Sequence, residues 1–404
     1  MATRAGSVRL EPERVEWREM QDVVIIGGGP AGLFAGARLA AAGVRTTLLE
    51  EHPAAGDPVH CTGVLAAEAF EEFNLSRRSV LNELTTACFW SPAGRQVSYS
   101  GRRVEAVVID RRAFDQDLYN TARLAGVTLT QGVRATAVVV DDSGVTVKSA
   151  AGDVRARVAV LACGANYALH RQVGLGMPRM FLHTAQMELA TRSLGDVELH
   201  FGSQIAPKGF GWVVPVVRGY QLCARVGVMF ESDAPRYFAR LAARVSERWG
   251  IRAADLGRSR QKILPLAPLS RTYGDRLLAI GDAAGLVKPT TGGGIYYSLV
   301  SAALAADVMI DALQQNDLSA SRLAPYERQW RSRLSAEFQA QLELRLVAHR
   351  MTDTDIEDLF ELARTDGVMP IVRRTASFNR HRKLIVELLK HPPVRQLILR
   401  RLAF

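Results

Sequence analysis

Asp22-Val23-Val24-Ile25-Ile26 runs directly into Gly27-Gly28-Gly29-Pro30-Ala31-Gly32, an Ala/Leu-rich stretch continues to Ala42, and a second apolar run from Val44 to Leu49 ends on Glu50. A β-branched run, a glycine turn, a stretch of helical length and another apolar run predict strand, tight turn, helix and strand. The glycines have separate tasks. Gly27 permits the turn, Gly29 lets the backbone approach a pyrophosphate, and Gly32 allows the helix to pack closely on its surroundings. With Pro30 and Ala31 at the start of the helix, this cradle offers free N–H groups and a positive dipole end to an anion. Glu50 stands where a carboxylate binds ribose hydroxyls; it would repel a 2′-phosphate, so the site suits FAD or NAD rather than NADP.

A second glycine-dense segment far along the chain decides between those two. Gly281-Asp282-Ala283-Ala284-Gly285 is followed by Pro289-Thr290-Thr291-Gly292-Gly293-Gly294-Ile295 and then by apolar residues to Leu313. A helix starting at Ile295 gathers unpaired N–H groups at one spot, which stabilises the negative charge of a reduced flavin along its N1–C2 edge. Asp282 can accept a bond from a ribityl hydroxyl. Together the two segments predict bound FAD.

The rest of the composition is that of a globular enzyme: 404 residues, 48% hydrophobic and 23% charged, enough for one large or two interleaved domains. No apolar run is expected to cross a bilayer, and residues 1–20 are too charged for a signal peptide, so a loose N-terminal tail and a cytoplasmic location are expected. Cys61, Cys88, Cys163 and Cys223 form no CxxC pair and no metal-ligand spacing, which predicts a reducing compartment and no metal site.

The net charge of +10 is concentrated at the C-terminus, where residues 371–404 hold nine Lys/Arg against one acid, Glu387. Leu384, Ile385, Leu388, Leu389, Val394, Leu397, Ile398 and Leu402 interleave with them at helical spacing around Pro392-Pro393. Such a basic amphipathic segment can lie on an anionic membrane surface, or pack its apolar stripe on the body with its charges in water. Nucleic acid is not an expected partner, because the charges lack interleaved aromatics and the body shows no binding motif.

Between the cofactor segments a loop is expected over 51–63, a helix over 65–73, short strands over 85–108, and a helix capped by Asp110 running to about Ala125. Strands are expected over 127–160 and from Met180 to Met229, a helix from Ala234 to Trp249, and a strand from Leu277 to Ile280 feeding Gly281. The fold class is α/β. A Rossmann-like FAD-binding domain is assembled from the discontinuous segments 21–84, 109–178 and 263–325, a β-sheet substrate domain from 85–108 and 179–262 is inserted in it, and a C-terminal helical basic segment covers 326–404.

The N-terminal glycine loop, the Asp110-Arg111 helix start, the turn Ala162-Cys163-Gly164-Ala165-Asn166 and the Gly281-Asp282 segment resemble, in that order, the group A flavoprotein monooxygenases and their reductase relatives, over residues 20 to about 400. Gly56-Asp57-Pro58-Val59-His60-Cys61-Thr62-Gly63 is similar to the cysteine-containing loop of the geranylgeranyl reductases, enzymes that saturate polyprenyl chains. Pro207-Lys208-Gly209-Phe210-Gly211-Trp212-Val213-Val214-Pro215 resembles their PxxYxWxFP motif, with Phe210 in place of the usual tyrosine and Val214 in place of phenylalanine. The resemblance implies that Gly27, Gly29 and Gly32 hold the pyrophosphate, Glu50 the adenosine ribose, and Arg111 the phosphate or ribityl region. It also implies that Ala135 approaches adenine through its backbone, that Gly281 and Asp282 face the ribityl chain, that Gly293, Gly294 and Ile295 line the flavin's N1 side, and that Cys61 lies near the flavin. An ion pair with Asp110 or Asp115 is the structural alternative for Arg111, and Cys163 reads as a packing residue.

Reduction of an isolated trisubstituted alkene needs hydride from flavin N5, a proton for the other carbon, and a pocket that shields cationic character from water. Phe210, Trp212, Tyr296 and Tyr297 are the candidate walls, since aromatic faces stabilise positive charge and pack a prenyl chain. Cys61 is the candidate catalytic residue, and His60 reads as a surface loop histidine. The expected partners are a polyprenyl or other lipid, an electron donor of NAD(P)H or ferredoxin type, and an anionic membrane surface on the inner face. The alternative is an FAD-dependent monooxygenase acting on an aromatic or lipid substrate. A flavin halogenase shares the GxxWxxP spacing at Gly209 to Pro215 but uses an early lysine, and none precedes Lys148; the intact cofactor loops disfavour a non-catalytic flavin-binding protein.

Overall fold

The computed structural model describes residues 19–402 apart from Ser232 and Asp366, so nearly all of the expected N-terminal tail lies outside the described residues. Five parallel strands form the centre of the cofactor domain, in the order Leu277–Ala279, Val154–Leu161, Gln21–Ile26, Thr46–Glu50 and Thr128–Gln131. The Val/Ile/Leu/Ala runs of the central strands follow from burial on both faces: Val23 to Ile25 and Val158 to Leu161 are all fully buried. Register decides the site. Ile26 pairs with both Leu49 and Leu161, and Leu161 pairs with Ala279. The C-terminal ends of the strands are therefore level, and the turns that follow them arrive at one edge of the sheet.

The helix Pro30–Ala41 packs between this sheet and the helix Ile295–Gln314. That second helix departs from the expectation that no apolar run is long enough to cross a bilayer: its length and composition would suffice, but 72% of its most apolar window is buried in the body of the protein. Its apolarity serves the core, where Tyr297, Leu299, Val300 and Met309 are enclosed.

A seven-stranded sheet lies beside the cofactor domain in the order Arg260–Pro265, Phe181–Ala190, Gln221–Phe230, Phe210–Arg218, Val197–His200, Thr86–Trp90 and Gln96–Ser100. Alternation separates its two faces. Val197, Leu199 and Phe89 face a cavity, whereas Glu198 and Trp90 meet the helix Ala234–Trp249, whose Arg248 bonds Glu198 at 2.6 Å and lies 4.6 Å over the Trp90 ring. Of the strands expected over 85–108, two join this sheet, while Ala106–Ile109 pairs with Val64–Ala66 and Val80–Leu84 in a small sheet of its own. The helix expected over 65–73 is thus a strand followed by a short helix, Glu68–Glu72, because Val64 and Leu65 pair with Val108 and Val107.

The helix Arg111–Ala125 starts where expected. The Asp110 carboxylate accepts from Arg112 N at 3.0 Å and Ala113 N at 3.1 Å. Five helices close the chain: Ala320–Arg350, Asp353–Thr365, Val368–Thr375, Arg382–Lys390 and Pro392–Leu402. The apolar stripe of the last two packs on the body, with Ile385, Val394 and Leu397 buried.

Candidate functional site

A cavity of about 1720 Å³ runs from the level strand ends to the C-terminal helices. Pockets for a single small ligand measure roughly 300–1,000 Å³, so there is room here for a cofactor and a second molecule. Gly27, Gly29, Pro30, Ala31, Glu50, Arg111, Ala135, Asp282, Gly293, Gly294 and Ile295 all reach its wall. Gly32 and Gly281 stand behind it. A Cβ on Gly32 would lie 2.0 Å from Gly27 O, and one on Gly281 2.8 Å from Ser298 Oγ. Gly27 has φ +114°, and a Cβ there would meet Ala162 O at 2.3 Å. Gly29 differs, for a Cβ on it would meet no protein atom within 4 Å. Glycine at 27 and 32 is demanded by the protein's own packing, whereas at 29 it leaves space for a ligand.

Two carboxylates flank that space. Glu50 accepts from Gly28 N at 2.6 Å and from His52 N at 2.8 Å. Asp282 has Lys262 Nζ 3.8 Å from one oxygen, and its backbone carbonyl accepts from the Tyr167 hydroxyl at 2.6 Å. Among the described residues no side chain caps the start of the Ile295–Gln314 helix at Gly294, so its positive end is open to the cavity. An open cradle, two acceptors and an uncapped helix start fit the pyrophosphate, hydroxyls and reduced ring of FAD.

The Cys61 loop forms the next part of the wall and is held from below. Arg225, buried within its strand, donates to Thr62 O at 2.5 Å and Ile109 O at 3.0 Å, and Thr62 Oγ1 donates to Gln186 Oε1 at 2.8 Å. Arg111 makes a two-point ion pair with Asp115, at 3.1 and 2.8 Å, while Asp110 pairs with Arg218 instead. Burial works against the Arg111 charge, yet Asp115 and the Cys61 sulfur raise its pKa further above the usual range. His60 is half-buried in the cavity wall and not a surface residue; burial, then Lys262 and Arg260, lower its pKa. Burial pushes the Cys163 thiol up to about 12, and its sulfur is engaged with Asn166 O at 3.3 Å, the environment of a packing residue.

The other half of the cavity is apolar. Phe210 and Trp212 line it with Val214, Met229 and Phe201, and their rings meet edge to face at 6.0 Å. Tyr296 and Tyr297 do not reach it: the Tyr296 hydroxyl donates to Glu72 at 2.7 Å and the Tyr297 hydroxyl to Asn379 O at 3.0 Å, so the helix turns both rings away from the cavity. The wall opposite Phe210 comes from helices that the sequence presents only as a basic tail, through Leu344, Val347, Leu384, Leu388 and Ile398. Leu346 and Leu389 also line the cavity while remaining 56% and 40% exposed, and they mark its mouth. Arg225, Gln186 and Lys262 escape sequence reasoning, although a lone arginine inside the apolar run Cys223–Phe230 is a signal of a buried anchoring task.

A model of the lycopene cyclase family matches residues 22–363. A digeranylgeranylglycerophospholipid reductase of Methanoculleus marisnigri is 32% identical over 329 residues, covering 77% of this chain and 82% of that protein. The chain belongs to the lycopene cyclase family and to the geranylgeranyl reductases. The reductase of the same name from Methanocaldococcus jannaschii is 28% identical over 86% of this chain and 91% of its own length. The fold of this family member is also that of a solved geranylgeranyl bacteriochlorophyll reductase-like protein from Thermoplasma acidophilum, with a TM-score of 0.82 at 23% identity over 95% of this chain and 99% of that one. Halogenase PltM, solved with phloroglucinol and FAD, shares the fold more distantly, at a TM-score of 0.66 and 18% identity over 94% of this chain and 85% of its own. The protein is an FAD-dependent oxidoreductase of this family.

Proposed function

We propose that the protein reduces carbon–carbon double bonds in the polyprenyl chain of a geranylgeranyl-type membrane lipid, with FAD, once reduced, supplying hydride from N5. The observation that carries this reading is the continuity of one cavity from the glycine cradle past Cys61 to Leu384, Leu388 and Ile398. A long hydrocarbon is the ligand such a channel suits, at about 0.8 kcal/mol for each methylene it buries. Phe210 and Trp212 shield the reacting carbons from water and face any positive charge that develops there. Cys61, in the wall beside Arg111, is the proposed catalytic or flavin-tuning residue.

The mouth supports an inner-face membrane location. Beside Leu346 and Leu389 the C-terminal helices expose Val386 and Leu399, with Lys383, Arg395 and Arg400 around them; Lys390 is paired with Glu387 at 2.6 Å. Such a surface suits an anionic bilayer, at about 1 kcal/mol per cation near the headgroups, and delivers a lipid directly to the channel. Arg401 is excluded from this face because it bonds Asp355 at 2.8 and 2.9 Å. Electrons would come from an NAD(P)H or ferredoxin-type donor docking transiently. The deciding experiment photoreduces the bound FAD without oxygen, adds a geranylgeranyl lipid and follows flavin oxidation with product mass. Anaerobic oxidation with two hydrogens gained per flavin is expected; a flavin that waits for oxygen and a product that gains an oxygen atom would establish a monooxygenase instead.

A further inference from the structure

Lys288 is 3% exposed and lies behind the Gly292-Gly293-Gly294 turn. Its backbone brackets the turn, Lys288 N donating to Gly293 O at 3.1 Å and Gly292 N to Lys288 O at 2.9 Å. A Cβ on Gly293 would stand 2.7 Å from Lys288 Cε and 3.2 Å from Nζ. Glycine at 293 thus lets the ammonium approach the back of a turn whose front lines the cavity. The ammonium donates to Phe378 O at 2.8 Å, has Asn379 Oδ1 at 3.5 Å and sits 4.0 Å above the Phe378 ring centre. Among the described residues Glu337 and Glu68 act on its charge through space, and neither is bonded to it.

We propose that Lys288 is a redox-linked cation: from behind the Gly293–Gly294 turn it favours the reduced, anionic flavin, and it takes up a proton as the flavin is reduced. Coulomb attraction across a dry turn strengthens when the ring gains charge, and by linkage the charged ring strengthens proton binding at Lys288 equally. The groups facing Lys288 leave it free to respond. Glu337, from the Ala320–Arg350 helix, and Glu68, from the Glu68–Glu72 helix, favour its charge at a distance, while His381, held down at about 4 by burial and then by Lys288, stays neutral beside it. The Tyr297 phenol, bonded to Asn379 O, has its pKa raised and stays neutral. Burial outweighs the two glutamates and lowers Lys288 to about 7, so its protonation is in balance under neutral conditions. Proton balance follows: two electrons and one proton convert the flavin to its anionic reduced form, and one further proton converts the Lys288 amine to ammonium.

The proposal rests on the FAD site and not on which lipid is reduced, so it is tested on holoenzyme without lipid. Photoreduction in weak buffer at about pH 8 should take up more than one proton per two electrons in the wild type and one in Lys288→Gln, which keeps a donor for Phe378 O. Lys288→Gln and Lys288→Met should each lose about tenfold preference for reduced over oxidised FAD, or about 30 mV for a two-electron couple. Lys288→Arg should retain the preference and lose the extra proton. A tie that was merely structural would alter FAD occupancy or melting temperature and leave potential and proton count alone. One proton per two electrons in the wild type overturns the proposal even should every variant fail to fold, as does an unchanged potential in a Lys288→Gln protein that retains its FAD.

Discussion

At the scale of single residues, Gly29 and Gly32 of the first turn predict two different phenotypes. Gly29→Ala places its methyl in open cavity, so the apoprotein should melt as the wild type does while FAD affinity falls. Gly32→Ala drives a methyl against Gly27 O and should cost the apoprotein about 1–3 kcal/mol before any cofactor is added. Thermal melts of both apoproteins with FAD titrations separate the two, and a destabilised Gly29→Ala apoprotein would contradict the assignment of that space to a ligand. Glu50→Ala and Asp282→Ala should each lower FAD occupancy, by about 1.5–3 kcal/mol where a charged bond is lost, as read from bound-flavin absorbance. These residues are legible in sequence because a glycine or acid at a fixed distance from a strand end has few other uses. Tyr296 and Tyr297 are not: the Ile295–Gln314 helix is enclosed along most of its length, so its sequence has no polar stripe to say which way a ring points.

At the scale of elements, the helices Arg382–Lys390 and Pro392–Leu402 have two faces with separable tasks. Leu388→Trp fills channel volume and should raise KM for a twenty-carbon prenyl lipid about tenfold or more while sparing shorter chains and FAD content. Charge reversal at Arg395 and Arg400 should instead weaken salt-sensitive binding to anionic vesicles and leave a detergent-solubilised assay unchanged. Equal vesicle binding by variant and wild type would remove the basic face from membrane contact. The amphipathic pattern of these helices is plain in the sequence, but a pattern shows that a stripe is covered and not what covers it. The helices Arg111–Ala125 and Ala234–Trp249 are legible in the sequence because the Asp110 cap and Gly126 bound the first, and a proline in the first turn and Gly250 bound the second, all of them local signals. The strand Val64–Ala66 was not, since its partner lies some forty residues on, at Ala106–Ile109.

At the scale of the whole molecule, stability should depend on pH through buried histidines. Burial holds His170 at about 4, against 6.5 for the free side chain. Above 6.5 the residue is neutral folded or unfolded; between 6.5 and 4 the unfolded chain binds a proton that the folded one refuses, so stability falls with pH, by up to about 3 kcal/mol. His381 acts in the same sense. Glu188, which Arg218 and Arg225 hold below its usual range against the opposing effect of burial, adds a loss only below about 4.5. Denaturant titrations of His170→Phe should therefore show a shallower decline from neutral pH to 4.5 than the wild type, and an identical decline would refute the assignment. The strand order of the parallel sheet has a consequence for biosynthesis. Val154–Leu161 lies between Gln21–Ile26, made early, and Leu277–Ala279, made much later. While the ribosome is still translating the intervening sheet, Ala159 to Leu161 have no outer parallel neighbour, and the segment carrying Asp282 has yet to be synthesised. Flavin capture is consequently a late event in the life of the nascent chain, and a ribosome stalled before residue 279 leaves an apolar edge for chaperones to guard.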